Sequence, residues 1–150
     1  MVHTARRSIN LATEIPLDTR DKMHQWIRAN LTIRDKILID KKYYNAQFTP
    51  GMQLHIQYLD GEKLLEELQL DNLRKLEGDY LLISSLQFNR YFTEPKRTVQ
   101  SRIIIDNLFK HLELVKKIEP EHGTYGFHNP GLYLFKINPT QLKISLLVQK

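Results

Sequence analysis

A short break between two helix-forming segments constrains the fold of this 150-residue chain more than any other feature. Thr93 is a favourable N-cap, and Pro95 falls in the first turn of the segment that follows, where a missing N–H leaves no helical hydrogen bond unmade. A helix is therefore predicted to begin near Glu94. Ahead of the break, Ser84 or Ser85 can cap a shorter helix. The sequence thus predicts two successive helices separated by about three residues.

The second predicted helix changes character along its length. Its later part has apolar residues at helical spacing, which indicates a face packed against a core. Its first turns are polar and basic, and such side chains suit base edges and phosphates in the major groove of DNA. Val99 and Ile103 lie off the apolar stripe, so we expect them to pack on the preceding helix or to contact thymine methyl groups. The apolar positions are Ile104, Ile105, Leu108, Phe109 and Leu112, and the polar ones are Lys96, Arg97, Thr98, Gln100, Ser101 and Arg102.

Two strands are predicted after this helix. Residues 114–118 and 132–137 carry hydrophobic side chains in strand-like patterns, and we expect them to pair antiparallel. Residues 120–130 would form the loop between the strands, with Gly123 and Gly126 inside it. The two helices are therefore expected to be followed by a β-hairpin with a long connection.

Residues 62–137 follow one order: helix, strand (YLLI), helix, longer helix (KRTVQSRIIIDNLFKHL), strand, loop, strand. This order resembles the winged helix-turn-helix family of DNA-binding domains, many of which are bacterial transcription regulators. The resemblance implies an α+β fold with the longer helix as the recognition helix and the loop as the wing. It implies that the recognition helix reads or clamps the major groove, while the wing lies along the backbone or in the minor groove.

The DNA contacts expected from this resemblance extend beyond the recognition helix, which contributes the six polar residues named above. The preceding helix should reach flanking phosphates. The loop carries polar side chains together with glycines that let the backbone approach a groove. These further contact residues are Arg90 and Tyr91 in the preceding helix, and His122, Tyr125, His128 and Asn129 in the loop.

The distribution of charge supports this interpretation more than its total does. The net charge is +5 at pH 7, a modest basic excess that suits nucleic acid or another anionic surface. Residues 86–118 hold seven Lys or Arg against three Asp or Glu, a balance of +4, whereas residues 60–80 hold three against seven, a balance of −4. The basic excess is therefore local to the predicted reading helix.

Several classes of chemistry find no support in the sequence. The chain has no cysteine, which excludes disulfides, thiolate catalysis and cysteine-based zinc sites. His122 and His128 could form a metal site with Glu119 and Glu121, but histidines that contact phosphate or water are the favoured interpretation. We find neither a Gly-rich phosphate loop nor a supported Ser/His/Asp grouping. The sequence therefore predicts a protein that is not an enzyme and that holds no cofactor or metal.

Hydropathy bears on the cellular location. No run of residues approaches the length that spans a membrane, and the N-terminus lacks the apolar segment of a signal peptide. We therefore expect a cytoplasmic protein that makes no use of a membrane.

The N-terminal part predicts a strand and a helix. Residues 7–15 alternate in polarity, which indicates a strand, and a helix is predicted from about residue 18 to residue 30. A strand followed by a helix near a basic N-terminus also resembles the ribbon-helix-helix dimers, in which a strand from each chain enters the major groove. A plain sheet or dimer strand is the favoured interpretation of residues 7–15.

The middle of the chain is less uniform. Residues 32–48 fit either a helix or a strand, whereas residues 52–58 alternate as a second clear strand. Residues 62–78 are rich in helix formers and lack β-branched side chains, so we predict a helix that has a break near Asp71 and ends at Gly78.

These patterns predict an α+β protein in three parts. Residues 1–59 form an N-terminal strand-helix-strand extension that can take part in dimerisation. Residues 60–137 form the winged helix-turn-helix, and residues 138–150 form an apolar tail expected to contact a second copy.

The predicted function is sequence-specific binding of double-stranded DNA as a homodimer, most simply as a transcriptional repressor. One alternative is a winged-helix protein-interaction module, in which the outward face of the recognition helix should instead be apolar. Another is a replication initiator or an accessory protein of a mobile element, which would share this architecture.

Overall fold

The computed structural model describes residues 18–40, 55–59, 64–93, 99–121 and 129–137. The strand predicted over residues 7–15 and the tail at residues 138–150 lie outside these ranges, as does the start of the strand predicted over residues 52–58. The described residues form five helices and five strands. In chain order they are α1 Thr19–Asn30, β1 Lys36–Asp40, β2 His55–Leu59, α2 Leu64–Glu67, α3 Leu70–Lys75, β3 Tyr80–Ser84, α4 Ser85–Thr93, α5 Val99–His111, β4 Glu113–Ile118 and β5 Leu132–Lys136.

The five strands form one mixed sheet in the order β2-β1-β3-β5-β4. β1 pairs in parallel with both β2 and β3, whereas β5 pairs antiparallel with both β3 and β4. The predicted α+β class and the β4–β5 hairpin are therefore confirmed. The strand order is not the typical arrangement of a winged helix, because parallel strands extend the sheet beyond β3. β1 and β2, from the predicted extension, share a sheet with strands of the predicted winged region.

The centre of the sheet is buried on both faces. β1 and β3 each have four consecutive buried residues, as expected for strands covered by helices on both sides. In β1, Ile37 and Ile39 belong to one apolar cluster and Leu38 to the other. This burial explains why the sequence pattern around these residues fitted a helix as well as a strand. A short apolar run without alternation does not distinguish the two.

Helices cover the two faces of the sheet, so the fold has three layers. On one face, α1 contributes Met23 and Ile27 to the cluster that contains Ile37 and Ile39. On the other face, residues of α3, α4 and α5 pack against Leu38 and other strand residues. Full burial of one such side chain stabilises the fold by about 1.5–3 kcal/mol. The helical residues of the second cluster include Leu73, Phe88, Ile105 and Leu108.

The helix boundaries agree closely with the local sequence. α1 begins after Asp18, whose side chain accepts a hydrogen bond from the Arg20 N–H at 2.8 Å, as is typical of an N-cap. The helix predicted over residues 62–78 is divided into α2 and α3, so the predicted break is present. Gly78 lies beyond α3, where an added Cβ would be only 2.4 Å from Cγ of Leu38, so the close approach of the chain to β1 requires glycine.

Candidate interaction surface on helices α4 and α5

α4 follows β3 without an intervening residue, and hydrogen bonds hold this junction. The Ser84 N–H donates to Oε1 of Gln87 at 2.6 Å, so a side chain of α4 closes the first turn of its own helix. The Ser85 N–H donates to the Gly131 carbonyl at 2.7 Å, and the Gly131 N–H donates to Oγ of Ser85 at 2.9 Å. The start of α4 is therefore fixed to β3 and to the residue that precedes β5.

A buried polar contact ties α4 to the centre of the sheet. Asp40, the last residue of β1, is only 1% exposed, and its Oδ2 accepts a hydrogen bond from Nε2 of Gln87 at 2.5 Å. In α/β sheets, ligands often bind outside the carboxyl ends of parallel strands, where Asp40 lies. Here the carboxylate is engaged by Gln87, so this contact orients α4 relative to β1.

α5 packs on the same face of the sheet through its inward side. Ile105 and Leu108 have no exposed area. Next to them, Phe109 contacts Phe88, Tyr133 and Phe135 edge to face, with ring centroids 5.1–5.6 Å apart. Edge-to-face aromatic pairs stabilise a core beyond the area that they bury. The inward side therefore fixes the position of α5 on the sheet.

The outward side of α5 combines apolar and charged groups. Val99 is 58% exposed and Ile103, one turn later, is 46% exposed. Arg102 lies between them in sequence, with its guanidinium carbon 5.3 Å from the Phe92 ring centroid and its Nε 3.6 Å from Oδ2 of Asp106. We call the outward residues of α5 the α5 face. They are Val99, Gln100, Arg102, Ile103, Asp106 and Lys110, all exposed.

Three polar side chains, those of Lys117, Glu119 and Tyr133, contact one another at the rim of the layer that contains α4 and α5. The Tyr133 hydroxyl donates to Oε1 of Glu119 at 2.7 Å, and Nζ of Lys117 lies 2.9 Å from the same oxygen. The hydrogen bonds from Tyr133 and Lys117 lower the pKa of Glu119 below its ordinary value. Burial, reinforced by the hydrogen bond to Glu119, raises the pKa of Tyr133. The phenol therefore stays neutral and donating well into the alkaline range.

The structure places part of the predicted DNA-contacting set. Gln100 and Arg102 are exposed in the first turns of α5, and Ser101 is half-buried. Arg90 and Tyr91 belong to α4. Lys96, Arg97 and Thr98 lie outside the described residues, as do the loop residues His122, Tyr125 and His128. The arrangement of the first turn of the predicted recognition helix therefore stays a prediction.

Asn129 differs from the expectation that it would approach a nucleic-acid groove. It is 5% exposed, and its Oδ1 accepts a hydrogen bond from the Thr19 N–H at 2.9 Å. The Thr19 hydroxyl donates to the adjacent Pro130 carbonyl at 2.6 Å. Asn129 has φ 50°, in the left-handed region that asparagine tolerates better than most residues. Its role in the structure is to hold the start of α1 against the sheet, and we leave it out of the candidate surface.

Sequence reasoning missed the strongest features of this surface. Val99 and Ile103 were noted only as residues off the apolar stripe, expected to pack on the preceding helix or to contact thymine methyl groups, and the structure leaves them 58% and 46% exposed. Their position off the stripe was the available signal. The contact between Asp40 and Gln87 joins residues far apart in the chain, and the sequence contained no signal for it.

The described residues contain no cluster of three or more His, Asp or Glu side chains that could hold a metal ion. Among the helices that the structure describes, none has both the length and the apolar character needed to cross a membrane.

Comparison with known proteins does not assign the chain to a family. No protein-family model matches the chain, and no curated protein or solved structure shows significant similarity to it.

Proposed function

We propose that this chain is a non-catalytic protein-interaction module that contacts its partner through the α5 face. The observation that carries the proposal is the exposure of Val99 and Ile103 on one side of a helix whose other side is anchored in the core by the fully buried Ile105 and Leu108. The sequence reasoning expected an apolar outward face in a protein-interaction module and a basic one in a DNA reader. The exposed side chains favour the first.

The composition of the α5 face suits a protein partner. Apolar side chains at the centre of an interface supply most of its binding free energy, while polar groups at the rim supply specificity. Val99 and Ile103 form such a centre, with Gln100, Arg102 and Asp106 beside them. Burying each of the two apolar side chains completely would contribute up to about 1.5–3 kcal/mol.

Double-stranded DNA is the second candidate partner. Gln100 and Arg102 are exposed at the start of α5, and residues 86–118 carry the local basic excess. In this function a homodimeric repressor would place α5 in the major groove, with Val99 and Ile103 against thymine methyl groups. Against it, Arg102 already contacts Phe92 and Asp106.

Site-specific photo-cross-linking tests the proposal. A photoreactive amino acid placed at Ile103 in the cell of origin should yield a defined protein adduct, because this position would lie inside the interface. The matched control is Tyr58, which is 54% exposed on β2, on a different part of the surface. If position 103 gives no more adduct than position 58, the α5 face is not a protein-binding surface.

Fluorescence anisotropy with labelled duplex DNA separates the two candidate partners. We expect no binding to random duplex or to the DNA upstream of the coding sequence, at about 50 mM or at about 200 mM salt. Tight binding that falls steeply with salt would instead establish DNA as the partner, because counterion release makes phosphate contacts salt-dependent.

A further inference from the structure

We infer that the partner also occupies the corner between α5 and β4, and that it does so with an amphipathic helix whose polar flank is acidic. This inference rests on the proposed function and names the element of the partner that binds. We call this surface the α5–β4 corner. It is lined by the apolar side chains of Phe92, Phe109 and Leu114, with the cations of Arg102 and Lys117 at its margins.

Exposed apolar side chains are concentrated around α5. Of the seven large hydrophobic side chains that are exposed among the described residues, five lie on α4, α5 or β4. Val99 and Ile103 belong to the α5 face, and the other three are the apolar residues of the α5–β4 corner, which are 36–43% exposed. A concentration of exposed apolar groups is typical of an interaction site. The α5–β4 corner therefore continues the α5 face around the side of the helix.

Buried rings join the apolar residues of the corner into one strip. The Phe88 ring contacts Phe92 at 6.3 Å and Phe109 at 5.4 Å between centroids. Phe109 contacts Phe135 at 5.1 Å, and Phe135 faces Leu114 across the β4–β5 pair. Because facing residues of an antiparallel pair project to the same side of the sheet, Leu114 lies on the side that α5 covers. The exposed strip therefore runs along the flank of α5 and onto β4.

The step between the α5 face and β4 determines the form of the partner. A helix is about 10 Å in diameter, so the outward side of α5 stands about that far above a side chain beside it on the sheet. A flat partner surface that rests on Val99 and Ile103 would therefore not contact Leu114. The partner needs a projecting element that lies beside α5 and over β4.

The outer edge of β4 disfavours a strand as that element. A β-bulge lies between Leu114 and Lys116, and Lys117 follows directly. Bulges and lysines are features that prevent an added strand from pairing with a sheet edge. A helix needs no backbone partner. Its apolar residues at positions i, i+3, i+4 and i+7 span about 10 Å, which is close to the length of β4 from Leu114 to Lys117.

The charge around the corner favours an acidic flank on the partner helix. α5 and β4 together carry four Lys or Arg against two Asp or Glu, a balance of +2. Arg102 and Lys117 each lie over an aromatic ring, which holds the two cations at the margins of the corner. Their ion pairs with Asp106 and Glu119 join groups that are about half exposed, and such pairs contribute little. Both cations can therefore meet carboxylates of the partner.

Peptide selection on the purified full-length chain tests the inference. The probe is a displayed library of random peptides of about 16 residues, long enough for about four helical turns. Enriched peptides should carry apolar residues at helical spacing, with Asp or Glu beside them. Leu114→Lys should weaken their binding at least about tenfold, because it places a charge among the apolar side chains of the corner. Ile33→Lys, at a residue that is 63% exposed between α1 and β1, is the matched control and should leave binding unchanged.

A charge reversal tests the position of the acidic flank and leaves the apolar side chains in place. Lys117→Glu should weaken the binding of the acidic peptides about tenfold, because it replaces an attractive contact with a repulsive one. Lys116→Glu is the matched control. Lys116 faces Leu134, which belongs to the cluster on the other side of the sheet, so this change should weaken binding less than about threefold. Equal effects of the two changes would show only long-range attraction and would overturn the inference.

The other outcomes separate this inference from the proposed function. A selection that enriches no sequence, or peptides that alternate apolar and polar residues as strands do, would overturn the inference. Binding that depends on Ile103 but not on Leu114 would overturn it and leave the proposed function standing. Binding that depends on neither residue would contradict both. Self-association that sedimentation detects in the parent chain and not in Leu114→Lys would show that a second copy fills the corner, which also overturns the inference.

Discussion

The pair of helices α4 and α5 has an inner side, whose residues are buried against the sheet, and an outer side, whose residues are exposed. On the inner side, Ile105 is fully buried and Gln87 makes hydrogen bonds to both Ser84 and Asp40. On the outer side, Ile103 is 46% exposed two residues before Ile105. The same residue type thus serves the fold at one position and is available to a partner at the other. Substitutions on the two sides should therefore change different measured quantities.

The largest effect should come from Ile105→Ala. Removing a fully buried side chain loses transfer free energy and leaves a cavity, so the free energy of unfolding should fall by about 2–5 kcal/mol. Urea denaturation monitored by circular dichroism measures it. Ile103→Ala is the matched control and should cost less than about 1 kcal/mol. Equal losses from the two alanine variants would contradict the assignment of inner and outer sides.

A smaller loss of stability should follow Gln87→Ala. This change removes both hydrogen bonds that link α4 to β1 and to the end of β3, and the expected cost is about 1–3 kcal/mol. Gln100→Ala, at an exposed position of α5, should stay within about 0.5 kcal/mol of the parent protein. Thermal or urea unfolding of both variants provides the comparison. A neutral Gln87→Ala would show that the buried contact contributes nothing net.

The stability that Glu119 and Tyr133 contribute at the rim should depend on pH. Because the pKa of Glu119 is lowered in the folded chain, its contribution is present above the ordinary carboxyl range and is lost as pH falls through the lowered pKa. Because the pKa of Tyr133 is raised from 10.0, its contribution is present below that value and is lost as pH rises through the raised pKa. The first effect is small, about 0.5 kcal/mol or less, since Glu119 is exposed and screened by solvent.

Tyr133→Phe sharpens this test. The variant lacks the hydroxyl that donates to Glu119, so its stability should change less between about pH 6 and pH 3 than that of the parent protein. Urea unfolding at a series of pH values measures the difference. Identical acid profiles would show that the hydrogen bond is not maintained in solution.

The smallest effect on stability, with a large effect on partner binding, should come from Ile103→Glu. Because Ile103 is 46% exposed, the free energy of unfolding should stay within about 0.5 kcal/mol of the parent. A charge at the centre of the proposed interface should abolish the photo-cross-linked adduct formed from a photoreactive amino acid at Val99. An undiminished adduct in Ile103→Glu would show that Ile103 is not part of the binding surface.

Local sequence signals predicted most of the helices and strands. The helix predicted from about residue 18 to residue 30 corresponds to α1, and the patterns around residues 114–118 and 132–137 predicted β4 and β5 as an antiparallel pair. These elements follow from propensity, capping and alternation within a few residues. α4 was predicted from its Ser cap, and the division between α2 and α3 was expected near Asp71.

The parallel half of the sheet could not be predicted in the same way. The pairing of Ile37 with Tyr80 and of Ile37 with Ile56 joins distant parts of the chain, and a short buried run carries no alternation that fixes its partners. The candidate surface was partly visible, because Val99 and Ile103 lie off the apolar stripe of α5. Asn129 was misjudged because a polar residue in a Gly-containing loop gives no sign that it will be buried against a distant helix.

The direct passage from β3 into α4 determines where this chain can be lengthened. An extra residue between Ser84 and Ser85 would turn α4 by about 100° around its axis, since a helix advances by that angle per residue. Gln87 would then point away from Asp40, and α5, which follows α4, would be displaced with it. We therefore expect that a tag or an inserted domain at this junction would disrupt the fold. The orientation of α5 depends on the residue at which β3 ends and α4 begins.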